Sequence, residues 1–210
     1  MFSTPGRDAL LAAADAQISH VGLNQSITNW RTPTVTEANF TGYARVAVTF
    51  GAAGVTSPAG GRKIANSGAV TFPKNTGSNQ DVIAYGCYTA DTNGTLIAIG
   101  LLDTDQPIAG TCLASSDLIT AYGHGLVTDQ RVFMLASPFG IPPDVFAEDT
   151  PYYVLAAGLT ADVFALSASS AGAAINASTS GVAMWIPYKV QTIASNAVAE
   201  FAIGQILIEL

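Results

Sequence analysis

Short runs in which apolar residues alternate with polar or small ones, cut by turn-forming clusters, constrain the fold of this chain more than any other feature. Val46, Val48 and Phe50 alternate with Ala47 and Thr49, and a Gly- and Pro-rich stretch over 51–61 follows. Further runs at 69–72, 81–89 and 95–102 are separated by Asn75-Thr76-Gly77-Ser78-Asn79 and by Asp91-Thr92-Asn93-Gly94, the second of which reads as a hairpin turn. A period of two puts alternate side chains on one face, so each run is a strand with a face to bury. Parallel strands would need helices between them, and none is visible there. The class this predicts is all-β, an antiparallel sandwich or jelly-roll-like fold.

One helix stands apart. Thr4-Pro5 offers an N-cap followed by proline at the first helical position, and Leu11, Ala14, Ile18 and Val21 recur at helical spacing, which predicts a helix over 5–20. Its apolar stripe is thin and alanine-rich, so it must lie on something, either the chain's own body or a neighbouring subunit. On the second alternative Leu11, Ile18 and Val21 form an interaction face. Trp30 and Arg31 join them as residue types enriched at interface anchors. Trp30 lies between the helix and the first strand, where core and interface burial both stay open. Trp185 alternates with Ala183 and Pro187 and reads as core.

Composition narrows the partners. The 210 residues suffice for one large domain or two small ones without covalent staples. Charged residues make up 11% of the chain, against roughly 25% in soluble domains. A neutral, hydroxyl-rich surface of this kind suits packing against protein neighbours. The net charge of −7 and eight scattered Lys and Arg leave no basic stripe, which argues against a nucleic-acid partner. No run approaches the roughly 18 apolar residues of a membrane span. The apolar run over 9–16 is interrupted by Asp15 and lacks the pattern of a secretion signal, so synthesis in the cytoplasm is expected. Cys87 and Cys112 are too few for a disulfide framework and too far apart for zinc-ligand spacing, and read as buried thiols.

Candidate chemistry is sparse. His124, between Gly123 and Gly125 and beside Tyr122, can expose an imidazole at a loop tip, but neither a G-x-S-x-G elbow nor an H-E-x-x-H helix accompanies it. It reads as a turn or strand-entry residue. Asp103-Thr104-Asp105 and Glu148-Asp149 lack the ligand loop of a calcium site and read as solvated turns. Gly60-Gly61-Arg62-Lys63 lacks the Ser or Thr of a phosphate loop and reads as a flexible loop with a basic tip. The expectation is no catalytic residue, no cofactor and no metal.

Two resemblances give the strands a context. Phe40-Thr41-Gly42-Tyr43-Ala44-Arg45-Val46-Ala47-Val48, with Ile83-Ala84-Tyr85-Gly86 and Leu96-Ile97-Ala98-Ile99-Gly100 after it, is similar to a group of small β-rich phage virion proteins. The run Thr120-Ala121-Tyr122-Gly123-His124-Gly125-Leu126, then Arg131-Val132-Phe133, Thr150-Pro151-Tyr152-Tyr153-Val154, Val163-Phe164-Ala165-Leu166-Ser167 and Gly172-Ala173-Ala174-Ile175, resembles a small all-β module found repeatedly in tailed-bacteriophage virion proteins. Asp129-Gln130 stands where that module usually has Gly-Asp, which leaves its turn type open. Both resemblances imply a particle component, and the first implies a structural protein without enzymatic residues.

Ile206, Ile208 and Leu210 alternate in a final strand that needs a sheet to join, while the strands of 43–102 lack a closing partner. The expected organisation is therefore a discontinuous sandwich over 1–107 and 188–210, carrying the N-terminal helix as an arm, with a small β domain inserted at 108–187. The function implied is a non-enzymatic virion structural protein. The favoured role is capsid decoration or cement, docked on the lattice of the major capsid protein or on other virion proteins. A homo-oligomer, such as a trimer at a symmetry axis, would multiply a weak contact. A tail, neck or fibre-base protein is the alternative, although the repeats or triple-helical shaft of a fibre are not found. A carbohydrate-binding module, which would show exposed aromatics on a flat face, is the third reading.

Overall fold

The computed structural model describes residues 3–28, 33–55, 61–104, 106–135, 142–148 and 150–209. Trp30, Arg31, Gly60, Asp105, Asp149 and Leu210 lie outside the described residues. The described chain has one helix and is otherwise built of strands, as its alternating pattern demands. It divides into two compact units, one comprising Met1–Ser26, Val35–Leu102 and Gln191–Leu210, the other Ile27–Thr34 and Asp103–Val190.

The first unit opens with α1 (Thr4–Asp15). Its N-cap is Ser3, one residue before the expected Thr4, and the Ser3 hydroxyl accepts the Gly6 N–H at 3.4 Å. The helix stops at Asp15 rather than running to His20, because the next segment is claimed by sheet. The strands that follow are β1 (His20–Thr28), β2 (Thr34–Glu37), β3 (Val46–Ala47), β4 (Gly54–Val55), β5 (Arg62–Ala65), β6 (Val70–Thr71), β7 (Gln80–Val82), β8 (Ala84–Tyr88) and β9 (Leu96–Leu101). Val21 pairs with Val46 on one side and Cys87 on the other, so its backbone gains two sheet partners that a helix could not offer. The spacing Ala14, Ile18, Val21 imitated a helix, whereas Val21, Leu23 and Ile27 carry the strand.

β2, β1, β8 and β9 lie in that order in one sheet, with β3 also paired to β1. Every residue of β8 is buried. The expected hairpin turn joins β8 to β9: Asn93 has φ 54°, and a Cβ on Gly94 would lie 2.4 Å from the Ala90 nitrogen. The single strand expected over 81–89 is broken at Ile83, whose N–H turns to the Asn24 carbonyl at 2.8 Å. β7 and β8 thereby join different ladders.

The second unit is a closed six-stranded barrel of β10 (Ile108–Cys112), β11 (Leu118–Thr120), β12 (Arg131–Leu135), β13 (Pro151–Val154), β14 (Val163–Ser167) and β15 (Gly181–Tyr188), in the order β10-β11-β14-β13-β12-β15. Closure leaves it no sheet edge. Trp185 fills the centre, fully buried, with Phe146, Tyr152 and Phe164 edge-on at 5.1, 6.2 and 6.2 Å. Gly110 makes room for it, since a Cβ there would meet the Ile119 side chain at 2.6 Å and the indole nitrogen at 3.1 Å. Asp129 settles the turn that the sequence left open. It has φ 62°, so it takes the left-handed conformation that favours glycine, the residue type usual at that place in the module.

The last twenty residues return to the first unit as β16 (Gln191–Ile193), β17 (Glu200–Phe201) and β18 (Leu207–Glu209), which pair with β7, β6 and β5 respectively. Two buried asparagines clamp this return. The Asn75 amide donates to the carbonyls of Ser78, Ile193 and Ala194, and the Asn66 amide donates to Gly68 and Ala202 while its oxygen accepts the Ile206 N–H at 2.8 Å. The ladders share one core, in which Val21, Val70, Phe72, Val82, Cys87 and Ile206 are all buried.

Candidate functional site

The expected interaction stripe is not presented at the surface. Leu11 and Val21 are fully buried and Ile18 nearly so, in the chain's own first unit. Only Leu11 of the three is helical; Ile18 follows the helix and Val21 belongs to β1. Of the two partners open to the stripe, the chain's own body covers it. Arg62 and Lys63, expected at a loop tip, lie in β5, and the Arg62 guanidinium grips the Asp8 carboxylate of α1 through Nε and Nη2.

The run Phe40–Arg45 builds a clamp inside the first unit. The Tyr43 hydroxyl donates to Glu37 Oε1 at 2.6 Å, and Arg45 takes the same carboxylate in a fork, Nε to Oε1 at 2.8 Å and Nη2 to Oε2 at 2.9 Å. Arg45 also lies over the Tyr88 ring, 3.5 Å from its centroid. A Cβ on Gly22 would stand 2.5 Å from Glu37 and 2.8 Å from Tyr43, so the clamp requires glycine there. Burial, reinforced by Glu37, raises the Tyr43 hydroxyl well above the usual tyrosine range. These residues are consumed by each other and have no chemistry to offer a ligand.

His124 is likewise structural. The Leu126 N–H donates to its Nδ1 at 2.9 Å, which leaves Nε2 to carry the proton and donate to the Val163 carbonyl at 3.3 Å. Its ring stands edge-on to Phe164 at 5.1 Å, and its two glycine neighbours both have positive φ. Asp103, half of an expected carboxylate pair, meets Lys189 at 3.4 Å. Cys87 and Cys112 are free and buried. Among the described residues no group of three His, Cys, Asp or Glu is placed to hold a metal ion, and no helix is long and apolar enough to cross a membrane.

A concave site does exist on the barrel. Two hollows, of about 640 and 690 Å³, meet at the 125–130 loop and share Gly125 and Gln130. The first is walled by Arg131, Tyr153, Tyr188, Lys189, Asp129 and Ser170, and the second by Tyr122, which is 85% exposed, with His124 and Gln106. The signal for Arg131 and Tyr153 lay in the Arg131-Val132-Phe133 and Tyr152-Tyr153-Val154 runs. There they mark strands, and their convergence depends on strand register.

The family described as Podophage GP4 fiber I protein gp80 matches residues 12–117. That span runs from within α1 through all the strands before the barrel and past its first strand, β10, to the start of β11. No curated protein matches the chain. Among solved structures the chain is similar to Phage phi92 endosialidase at 11% identity and TM-score 0.25, over 89% of this chain and 30% of that one. So slight a likeness supports no argument about fold or activity, and the chain spans less than a third of that protein's length.

Proposed function

This chain belongs to the podophage GP4 fiber I protein gp80 family, and from that premise we propose that it is a non-enzymatic subunit of the tail fibre or its base. It is a virion component, and other virion proteins are its partners. The family match over 12–117 carries the proposal, and it favours the fibre over capsid decoration. The burial of Leu11, Ile18 and Val21 weighs the same way, because the arm that would hold a decoration protein to a shell lattice is spent on the chain's own core. The absence of repeats is no obstacle, since a subunit built of ladders and a barrel can sit at a joint and need not form a shaft. In this reading the barrel is a domain inserted into the first unit, and the chain assembles as a homo-oligomer.

Immuno-electron microscopy of purified particles, with an antibody against residues 108–187, tests the placement. Label on the tail is the expected outcome. Label spread over the head would return the chain to capsid decoration.

A further inference from the structure

On the barrel, Arg131 of β12 is the direct cross-strand partner of Tyr153 on β13 and of Tyr188 on β15. The three side chains therefore stand in one row on one face of three adjacent strands. Val132 and Met134 belong to the barrel core, so the row, which has the opposite parity to Val132, faces away from that core. The Arg131 guanidinium lies 5.2 Å from the Tyr153 ring centroid.

Arg131 differs from the arginines that hold the first unit together. Arg45 has the Glu37 carboxylate and Arg62 has that of Asp8, each in a two-point grip. Among the described residues Arg131 has two tyrosines and no carboxylate in ion-pair range. A guanidinium set in a hollow without its anion is a place for an anion from outside. Lys189, half exposed and 3.4 Å from the Asp103 carboxylate, adds a weaker, shared cation. Asp129, which accepts the Ser170 hydroxyl at 3.0 Å, is an anion on the same wall and confines the ligand's carboxylate to the Arg131 side.

We propose that this hollow binds an acidic oligosaccharide. A carboxylated sugar offers its carboxylate to the Arg131 fork, a C–H face to the Tyr153 ring and hydroxyls to the polar side chains around them. A bare inorganic anion would use neither the Tyr153 ring nor a volume of about 640 Å³. A run of nucleic-acid phosphates needs a stripe of cations, whereas Arg131 and Lys189 are the two that line this hollow. The adjoining hollow with exposed Tyr122 extends the site, which fits a chain of sugars better than a single one. The inference holds wherever in the virion the chain is seated.

The test is titration calorimetry of the full chain at low salt. The probes are oligogalacturonate, glucuronate-containing and sialylated oligosaccharides, with malto-oligosaccharides as the neutral control and a Glu-rich peptide as a second anion. Saturable binding confined to acidic glycans, weakening with salt, is expected. R131Q should lose roughly ten- to hundredfold in affinity, and K189A, at a more exposed cation, roughly twofold to fivefold. Failure of every acidic glycan to bind would overturn the proposal, as would equal binding of neutral glycans or of the peptide. So would unchanged affinity in both variants at wild-type Tm; should R131Q not fold, K189A decides.

Discussion

The barrel and the first unit solve the problem of sheet edges in opposite ways. The barrel takes six strands from one continuous stretch, 108–188, and closes them on each other around Trp185, so its edges disappear within its own sequence. The first unit is a set of open ladders, three of which are completed only by β16, β17 and β18 from the end of the chain. A closed sheet is thus self-sufficient, while an open one borrows strands and depends on whatever delivers them. Here the delivery rests on buried amides: Asn66 and Asn75 pair with backbone groups that β-ladders leave unmatched between β16 and β18.

Deleting residues 191–209 should break the comparison most sharply. Three ladders lose a strand and the core loses Ile193 and Ile206, so the first unit is expected to unfold while the barrel keeps dispersed amide resonances in a two-dimensional NMR spectrum. Loss of the barrel signals as well would show that its closure does not make it self-sufficient.

A smaller effect is expected from Asn75→Ala, which strips the donor from three carbonyls at a fully buried site. Stability of the first unit should fall by about 3 kcal/mol. Urea unfolding followed residue by residue would detect it, and the barrel midpoint should not move.

The gentlest probe is pH. Burial pushes Tyr85, Cys87 and Tyr88, all on β8, up to about 12 from ordinary values of 10.0, 9.0 and 10.0. Each group is raised in the folded state, so its contribution is whole below about pH 9 and is lost as pH rises toward 12. Nothing should change near neutrality; above about pH 9 the first unit should weaken progressively. In the barrel, burial also raises Tyr188 and Cys112, but no barrel strand carries three such groups. The barrel transition in a pH-dependent denaturation series should therefore follow that of the first unit.

Much of this fold is legible in the sequence. The alternation of Leu96 to Leu101 is a strand, Asn93-Gly94 is the turn before it, and Trp185 is core, because in each case the deciding physics is local. Local reading failed where two periods coincide. Ala14, Ile18 and Val21 satisfy a helix, and only the partners of Val21 on both sides reveal the strand. It failed again for the virion role, where the missing repeats weighed against a fibre although a fibre family matches half the chain.

The candidate site was legible in its parts alone. Tyr153 and Arg131 stood in the quoted motifs, yet nothing in their spacing of 22 residues says that they meet. The sequence by itself determined the antiparallel all-β class, the turns and the virion context, since periodicity, left-handed residues and motif order are properties of neighbours along the chain. Tertiary structure alone decided that the barrel closes, which ladders the returning last strands complete, and that Tyr153, Arg131 and Tyr188 form one row. Those are matters of register between remote strands, set by which cores can be filled together rather than by any local preference.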